Sequence, residues 1–512
     1  MDIRILYIVA FVFLAILLKL IRSYVTSSRT KPQPPSALRL PPGPWQLPLV
    51  GSLHHLLLSR FSDLPHRALR EMSGTYGSLM MLRFGSVPTL VVSSSEAARE
   101  VMRTHDLAFC NRHLGVTLET ISCGGKDIIC SPYNAHWREL RKLCTLEIFS
   151  QRRVLSFRPV REAEVARLLR SISDESGGGQ QPVNLTEGIC RMINDVAART
   201  VVGNRCEYRD EYIHELDEVV RLAGGFNLAD LYPSSRLVRR FSAAAKDARR
   251  CQRNMYRIIQ SIIQEREAMP TPERDEDLLG VLLRLQREGG LQFALTNEIV
   301  STVIFDIFSA GSETSSTVLV WAMSELVKNP QVMDKAQSEV RETFRGQDKV
   351  TESDLVKIRY LQLVIKETLR LHAPVPLLLP RECRESCQVM GYDVPKGTKV
   401  FVNAWAIARD KRLWRDGEEF RPERFESSNI DFRGNDFEFT PFGAGRRMCP
   451  GIALGLANLE LALASLLYHF DWDMPNGARL EELDMAEAFG ITLKKKSMLW
   501  LKANPYNNFI PN

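Results

Sequence analysis

The stretch that most constrains this 512-residue chain is Phe439-Thr-Pro-Phe-Gly-Ala-Gly-Arg-Arg-Met-Cys-Pro-Gly451. Gly443 and Gly445 permit the positive φ angles of a tight turn, and Pro450 suits the first position of a helix running through Ala453 to Leu467. Cys449 then stands at a helix N-terminus, where unpaired N–H groups and the positive dipole end favour a thiolate over a thiol. A lone cysteine is ordinarily a buried, inert thiol. The turn-Cys-helix setting makes Cys449 a candidate metal ligand instead.

The rest of the chain reads as mainly α with small β-sheets. Segments of 3.6-residue period dominate from Ser94 to Leu371, with amphipathic helices at Glu162 to Ile172, Asp247 to Ala268 and Pro330 to Arg345. Strand-like runs lie at Leu79 to Val92, Thr398 to Val402 and Ile491 to Leu501. One helix is predicted from a Thr296 N-cap to Lys328, stopped by Asn329-Pro330 and about 48 Å long at 1.5 Å per residue. Its centre, Ala310-Gly-Ser-Glu-Thr-Ser315, is poor helix material, since Gly alone costs about 1 kcal/mol relative to Ala. Hydroxyls bonding back to the preceding turn would account for a bend there. They would also supply a donor-acceptor hydroxyl at Thr314 beside a proton reservoir at Glu313.

Residues 3–21 form an apolar stretch just long enough to span a bilayer, with Lys19 able to snorkel. Basic residues follow its uninterrupted apolar run, Ile5 to Leu18 (Lys19, Arg22, Arg29, Lys31, Arg39), while Arg4 alone precedes that run, which keeps the bulk of the chain on the cytosolic side. No small-residue cleavage site follows, so the segment reads as a retained anchor. Residues 22–45 form a basic and proline-rich hinge, and 46–512 a single catalytic domain without a second linker. The formal charge of +6 carries no basic run, which argues against a nucleic-acid partner. Ten cysteines without CxxC pairs read as thiols in a reducing compartment.

Phe442-x-x-Gly445-x-Arg447-x-Cys449-x-Gly451 resembles the haem-ligand signature of the cytochromes P-450, and nearly the whole chain agrees with that family, most closely with plant endoplasmic-reticulum members. The resemblance implies the family fold behind an N-terminal transmembrane helix, haem b with Cys449 as axial ligand, and NADPH- and O₂-dependent monooxygenation. It places Ala310, Gly311, Thr314 and Glu313 over the haem as the oxygen-activating segment. It gives Trp137, Arg141, Arg381 and Arg447 as propionate contacts, although spacing alone would put Trp137 in the core and Arg141 on the surface. It makes Glu367, Arg370 and Arg424 a buried structural triad, where Glu367 and Arg370 alone would read as a surface pair.

Gly443-Ala-Gly445-Arg-Arg-Met448 lacks the last glycine of a dinucleotide fingerprint and its βαβ setting. Electrons are therefore expected from the NADPH-cytochrome P-450 reductase, docking near Arg138, Lys142 and Arg446, with the chain a single-pass protein of the endoplasmic-reticulum membrane. Ile121, Phe305, Phe308, Val375, Leu379 and Phe489 are the expected substrate pocket, almost wholly apolar, and the resemblance leans toward sesquiterpenoid or diterpenoid oxidation in defence metabolism. The open alternatives are a flavonoid or phenolic hydroxylase, a haem-thiolate isomerase or dehydratase, and a haem electron carrier.

Overall fold

The computed structural model describes residues 38–203, 208–268, 277–291 and 293–506. The apolar segment 3–21 lies outside the described residues. The long helix spans Asn297–Lys328, and the Thr296 hydroxyl caps it by accepting the Ile299 N–H. It packs against Leu185–Val202, Ala243–Ala268, Arg359–Leu371 and Ile452–His469. Its first half, Val300 to Phe308, belongs to one hydrophobic cluster and its second half, Val318 to Val327, to another. From Val300 to Val327 the residues that are not buried are Ser309, Ala310, Gly311 and Thr314. The polar centre thus falls at the seam between two cores, where no apolar packing demands Leu or Val.

Five strands form the main sheet, in spatial order Leu79–Phe84, Val87–Val92, Lys399–Val402, Arg381–Glu382 and Asn111–Arg112. Val87–Val92 runs parallel to Lys399–Val402, and the other neighbours are antiparallel. The late strand-like stretch divides into Leu493–Lys495 and Trp500–Pro505. From residue 38 the proline-rich segment lies on this body: Pro42 accepts the Met81 N–H at 2.9 Å, and the Arg39 N–H donates to Asp393 at 2.8 Å. Gly43 is required there, because a Cβ would stand 2.0 Å from the Met81 carbonyl oxygen. Among the described residues one helix, Ile452–His469, is long and apolar enough to cross a membrane. It is a core helix, with Leu459 and Leu461 to Leu467 buried against the long helix and its neighbours.

Candidate active site

Gly443 and Gly445 take φ of 68° and 66°, and the turn closes when the Cys449 N–H donates to the Phe442 carbonyl at 3.0 Å. A side chain at Gly445 would meet the Met102 carbonyl oxygen at 2.3 Å and the Asp106 carboxylate at 2.6 Å, so nothing larger fits. Phe442 stacks edge-on against Phe432 at 5.3 Å, which anchors the turn to the core. The helix begins at Ile452, with Gly451 as its cap, two residues later than Pro450 suggested. The reason is visible in the hydrogen bonding: the Gly451 N–H is directed at the Cys449 sulfur. Burial pushes the Cys449 thiol up, while this N–H and the Arg141 guanidinium pull it down. The balance suits a sulfur that ionises when a cation binds it.

Cys449 lines a cavity of ≈ 250 Å³ whose opposite wall is the centre of the long helix: Ile307, Ala310, Gly311, Thr314 and Val318. These positions recur at three- and four-residue intervals and form one stripe. Among the described residues nothing beyond its own turn of helix stands within 4 Å of where a Gly311 Cβ would lie, so this glycine answers to the cavity and not to protein packing. The Thr314 hydroxyl bonds back to the Ala310 carbonyl at 2.7 Å. Glu313 is turned away from the cavity, accepting from Thr492 Oγ1 at 2.7 Å and Lys494 Nζ at 2.9 Å, and Lys494 also pairs with Asp217.

Of the apolar residues expected at the pocket, Val375 and Leu379 line this cavity and Phe489 lines an adjoining chamber. Ile121, Phe305 and Phe308 do not reach it. They pack in the first hydrophobic cluster, with Phe305 stacked on Tyr256 at 6.0 Å and Phe308 edge-on to Tyr212 at 4.3 Å. At about 100° per residue, Phe305 lies on roughly the opposite side of the helix from Ile307, and Phe308 on its flank.

The polar rim of the cavity is cationic. Arg141 donates to the Met448 carbonyl at 2.6 Å, and Arg381 to Asp106 at 3.1 Å and to the Ala444 carbonyl at 2.7 Å. Arg447 donates to the carbonyls of Cys110 at 2.7 Å and Ser131 at 2.5 Å, and its buried Nη1 has no partner among the described residues. Trp137 spends its indole N–H on the Ile128 carbonyl at 2.9 Å, and its ring lies 4.2 Å under the Arg447 guanidinium. It therefore meets the site through its face and not through a free donor.

Sequence reasoning missed Arg112, which lines the cavity and stands directly across the strand pair from Arg381. Like charges placed directly opposite are unfavourable. The carboxylate bonded to this group, Asp106, is shared with Arg446. The excess of buried guanidinium, the unpartnered Arg447 Nη1, the side-chain-free wall at Gly311 and the sulfur beneath together fit a flat iron macrocycle bearing two carboxylates. Cys449 would hold the iron, and Arg112, Arg141, Arg381 and Arg447 the carboxylates.

A second missed feature is a pair of buried carboxyls beside the cavity. Asp306 accepts the N–H groups of Ile128 and Ile129 at 3.0 and 3.1 Å, and Asp127 those of Cys130 and Ser131 at 2.6 and 3.1 Å. The two carboxyls also bond each other, tying the loop 127–131 to the long helix. Burial, then the charge of Asp127, holds Asp306 well above the ordinary carboxylate range, and burial pushes Asp127 up to about 6 from 3.8. Arg447 is the cation that draws Asp127 back down. Both groups bind protons more tightly folded than unfolded, so their contribution to stability falls as pH rises from about 4 through 6 and beyond. Asp306→Asn keeps the shape without the charge and is expected to narrow the difference in melting temperature between about pH 5 and about pH 8. An unchanged difference would contradict the shared proton.

A helical body with a cysteine turn facing a kept-open helix centre defines a haem-thiolate oxidoreductase. The chain belongs to the cytochrome P-450 family, whose profile matches residues 41–501. It is 50% identical over 494 residues to zealexin A1 synthase of Zea mays, covering 96% of each chain, and 49% identical over 516 residues to dolabradiene monooxygenase of Zea mays, covering 100% of this chain and 99% of that one. Among solved structures it resembles a zebra fish cytochrome P-450 in a structure with abiraterone, at 26% identity and a TM-score of 0.73, over 87% of this chain and 100% of the other. It is thus an oxygen-incorporating oxidoreductase with a haem-thiolate cofactor and a hydrophobic substrate.

Proposed function

We propose that this protein is an NADPH-dependent monooxygenase that hydroxylates a sesquiterpenoid or diterpenoid in plant defence metabolism. The observation that carries the reading is the cavity over Cys449, bounded by Val375, Leu379, Ile307 and Val318 and with few polar groups outside the cationic rim. Its apolar walls suit a hydrocarbon skeleton. The relatives named for zealexin and dolabradiene chemistry support the same choice. When bound, haem with an electron-rich sulfur ligand supplies reductive activation of dioxygen. Supplied with NADPH and a plant reductase, the enzyme is expected to oxygenate terpene hydrocarbons in preference to flavonoids and simple phenolics. Oxygenated phenolics alone would overturn the substrate class.

In this reading Thr314 presents a hydroxyl at the cavity wall that can pass a proton toward dioxygen, and Glu313 reaches it by leaving Thr492 and Lys494. Thr314→Ala is expected to keep NADPH consumption while product per NADPH falls several-fold. Coupling that stays at the wild-type level would remove Thr314 from the relay.

Electrons would arrive on the side of Arg138, Lys142 and Arg446, all exposed, with Arg446 anchored to Asp106 at 2.8 Å. Membrane association is supported by exposed apolar side chains on two segments that touch: Leu49, Leu57 and Leu58 on one, and Leu228, Leu237 and Phe241 on the other. The Tyr232 hydroxyl joins them by donating to the Leu49 carbonyl. Such a face suits the lipid surface of the endoplasmic reticulum and brings the cavity close to dissolved substrate.

A further inference from the structure

Beside the main cavity lies a chamber of ≈ 30 Å³, and Val375 and Leu378 line both. Its remaining walls include Phe401, Phe489 and Gly490 and three polar residues, His113, Asp230 and one buried cation, Lys399. Lys399 is 8% exposed, and among the described residues its ammonium has no hydrogen bond or ion pair; it lies over the Phe401 ring at 4.5 Å. Burial lowers it to about 8, partly offset by the charge of Asp230.

The nearby acids are already committed. Asp230 accepts the Thr117 N–H at 2.9 Å, the Thr117 hydroxyl at 2.5 Å and the Asn227 amide at 2.7 Å. Glu382, directly across the strand pair from Lys399, bonds His113 at 3.3 Å. A largely buried ammonium without a protein partner is costly, and the chamber exceeds the roughly 10–15 Å³ that one water needs. It has room for one small oxygen group and not for a whole ligand.

We infer that Lys399 forms a polar end-subsite of the substrate cavity, which receives a carboxylate borne by an otherwise apolar substrate. The Val375 and Leu378 side chains would lie along the skeleton between this group and the reacting carbon. Resting on the terpenoid reading above, this narrows the substrate to one that an earlier oxidation has already converted to an acid.

The test titrates the haem-loaded enzyme with farnesene, farnesol and farnesoic acid and follows the substrate-induced spectral shift, which needs no turnover. The wild type is expected to bind the acid most tightly. Lys399→Met and Lys399→Gln are each expected to lower the ratio of acid to farnesene affinity at least tenfold, and Lys399→Arg to retain the preference. A wild type without preference for the acid, or variants that weaken acid and farnesene alike, would overturn the subsite while leaving the terpenoid reading in place. Failure of all three probes to bind would overturn the terpenoid reading and the subsite with it.

Discussion

Cys449→Ser is expected to leave a folded protein without the thiolate spectral signature and with oxygenation below detection. The substitution keeps the size of the side chain and the turn that carries it, because closure rests on the Cys449 N–H bond to Phe442 and on Gly443 and Gly445. What changes is the ligand: a hydroxyl does not ionise under the pull of the Gly451 N–H and Arg141 as a thiol does, and it donates far less electron density to iron. Cys123→Ser, at a half-buried thiol in the loop after residue 121, serves as the control. It is expected to keep both signature and activity. Activity surviving in Cys449→Ser would mean that the chemistry does not pass through this sulfur.

Glu367→Gln is expected to have the largest effect on stability. Glu367 and Arg370 are wholly buried, and Glu367 accepts from Arg370 Nε and Nη2, Arg424 Nε and the Arg421 N–H, each at 2.8 Å. The two guanidiniums extend the network by donating to the carbonyls of Ala408, Gly417 and Glu419 and of Arg415 and Asp416. One carboxylate is therefore the shared counter-charge of two cations that fix the segment 408–424 to the helix Arg359–Leu371. Without its charge both guanidiniums remain buried and uncompensated, at a cost of about 3–5 kcal/mol out of a typical total of about 5–15 kcal/mol. Urea denaturation and haem content measure the loss together. A variant with an unshifted midpoint and full haem content would show that these arginines find other compensation.

What the sequence made legible was local chemistry. The glycine turn, the cysteine after it and the Thr296-capped helix with its polar centre each lie within one continuous segment. Glu367 and Arg370 are neighbours on one helix, and Pro422 to Phe425 pointed to Arg424. What remained hidden depends on distant segments meeting. Arg112 faces Arg381 only because two short strands 269 residues apart pair in one register, and Asp306 finds Asp127 only when the loop 127–131 is laid on the long helix. Periodicity places Phe305 and Phe308 on apolar faces without saying which face meets core and which meets cavity. Composition cannot tell that the Trp137 N–H and the Glu313 carboxylate have other partners within reach, at Ile128 and at Thr492 and Lys494.

In the proposed reaction one atom of dioxygen enters an apolar substrate, Cys449 would hold the haem iron, and a separate reductase would supply the electrons. Turnover of a terpene substrate under isotopically labelled dioxygen, with the reductase present or omitted, tests it most directly. Product carrying one labelled oxygen atom, formed only when reductase and NADPH are both supplied, is the expected result. Product without the label, or full turnover without reductase, would contradict it.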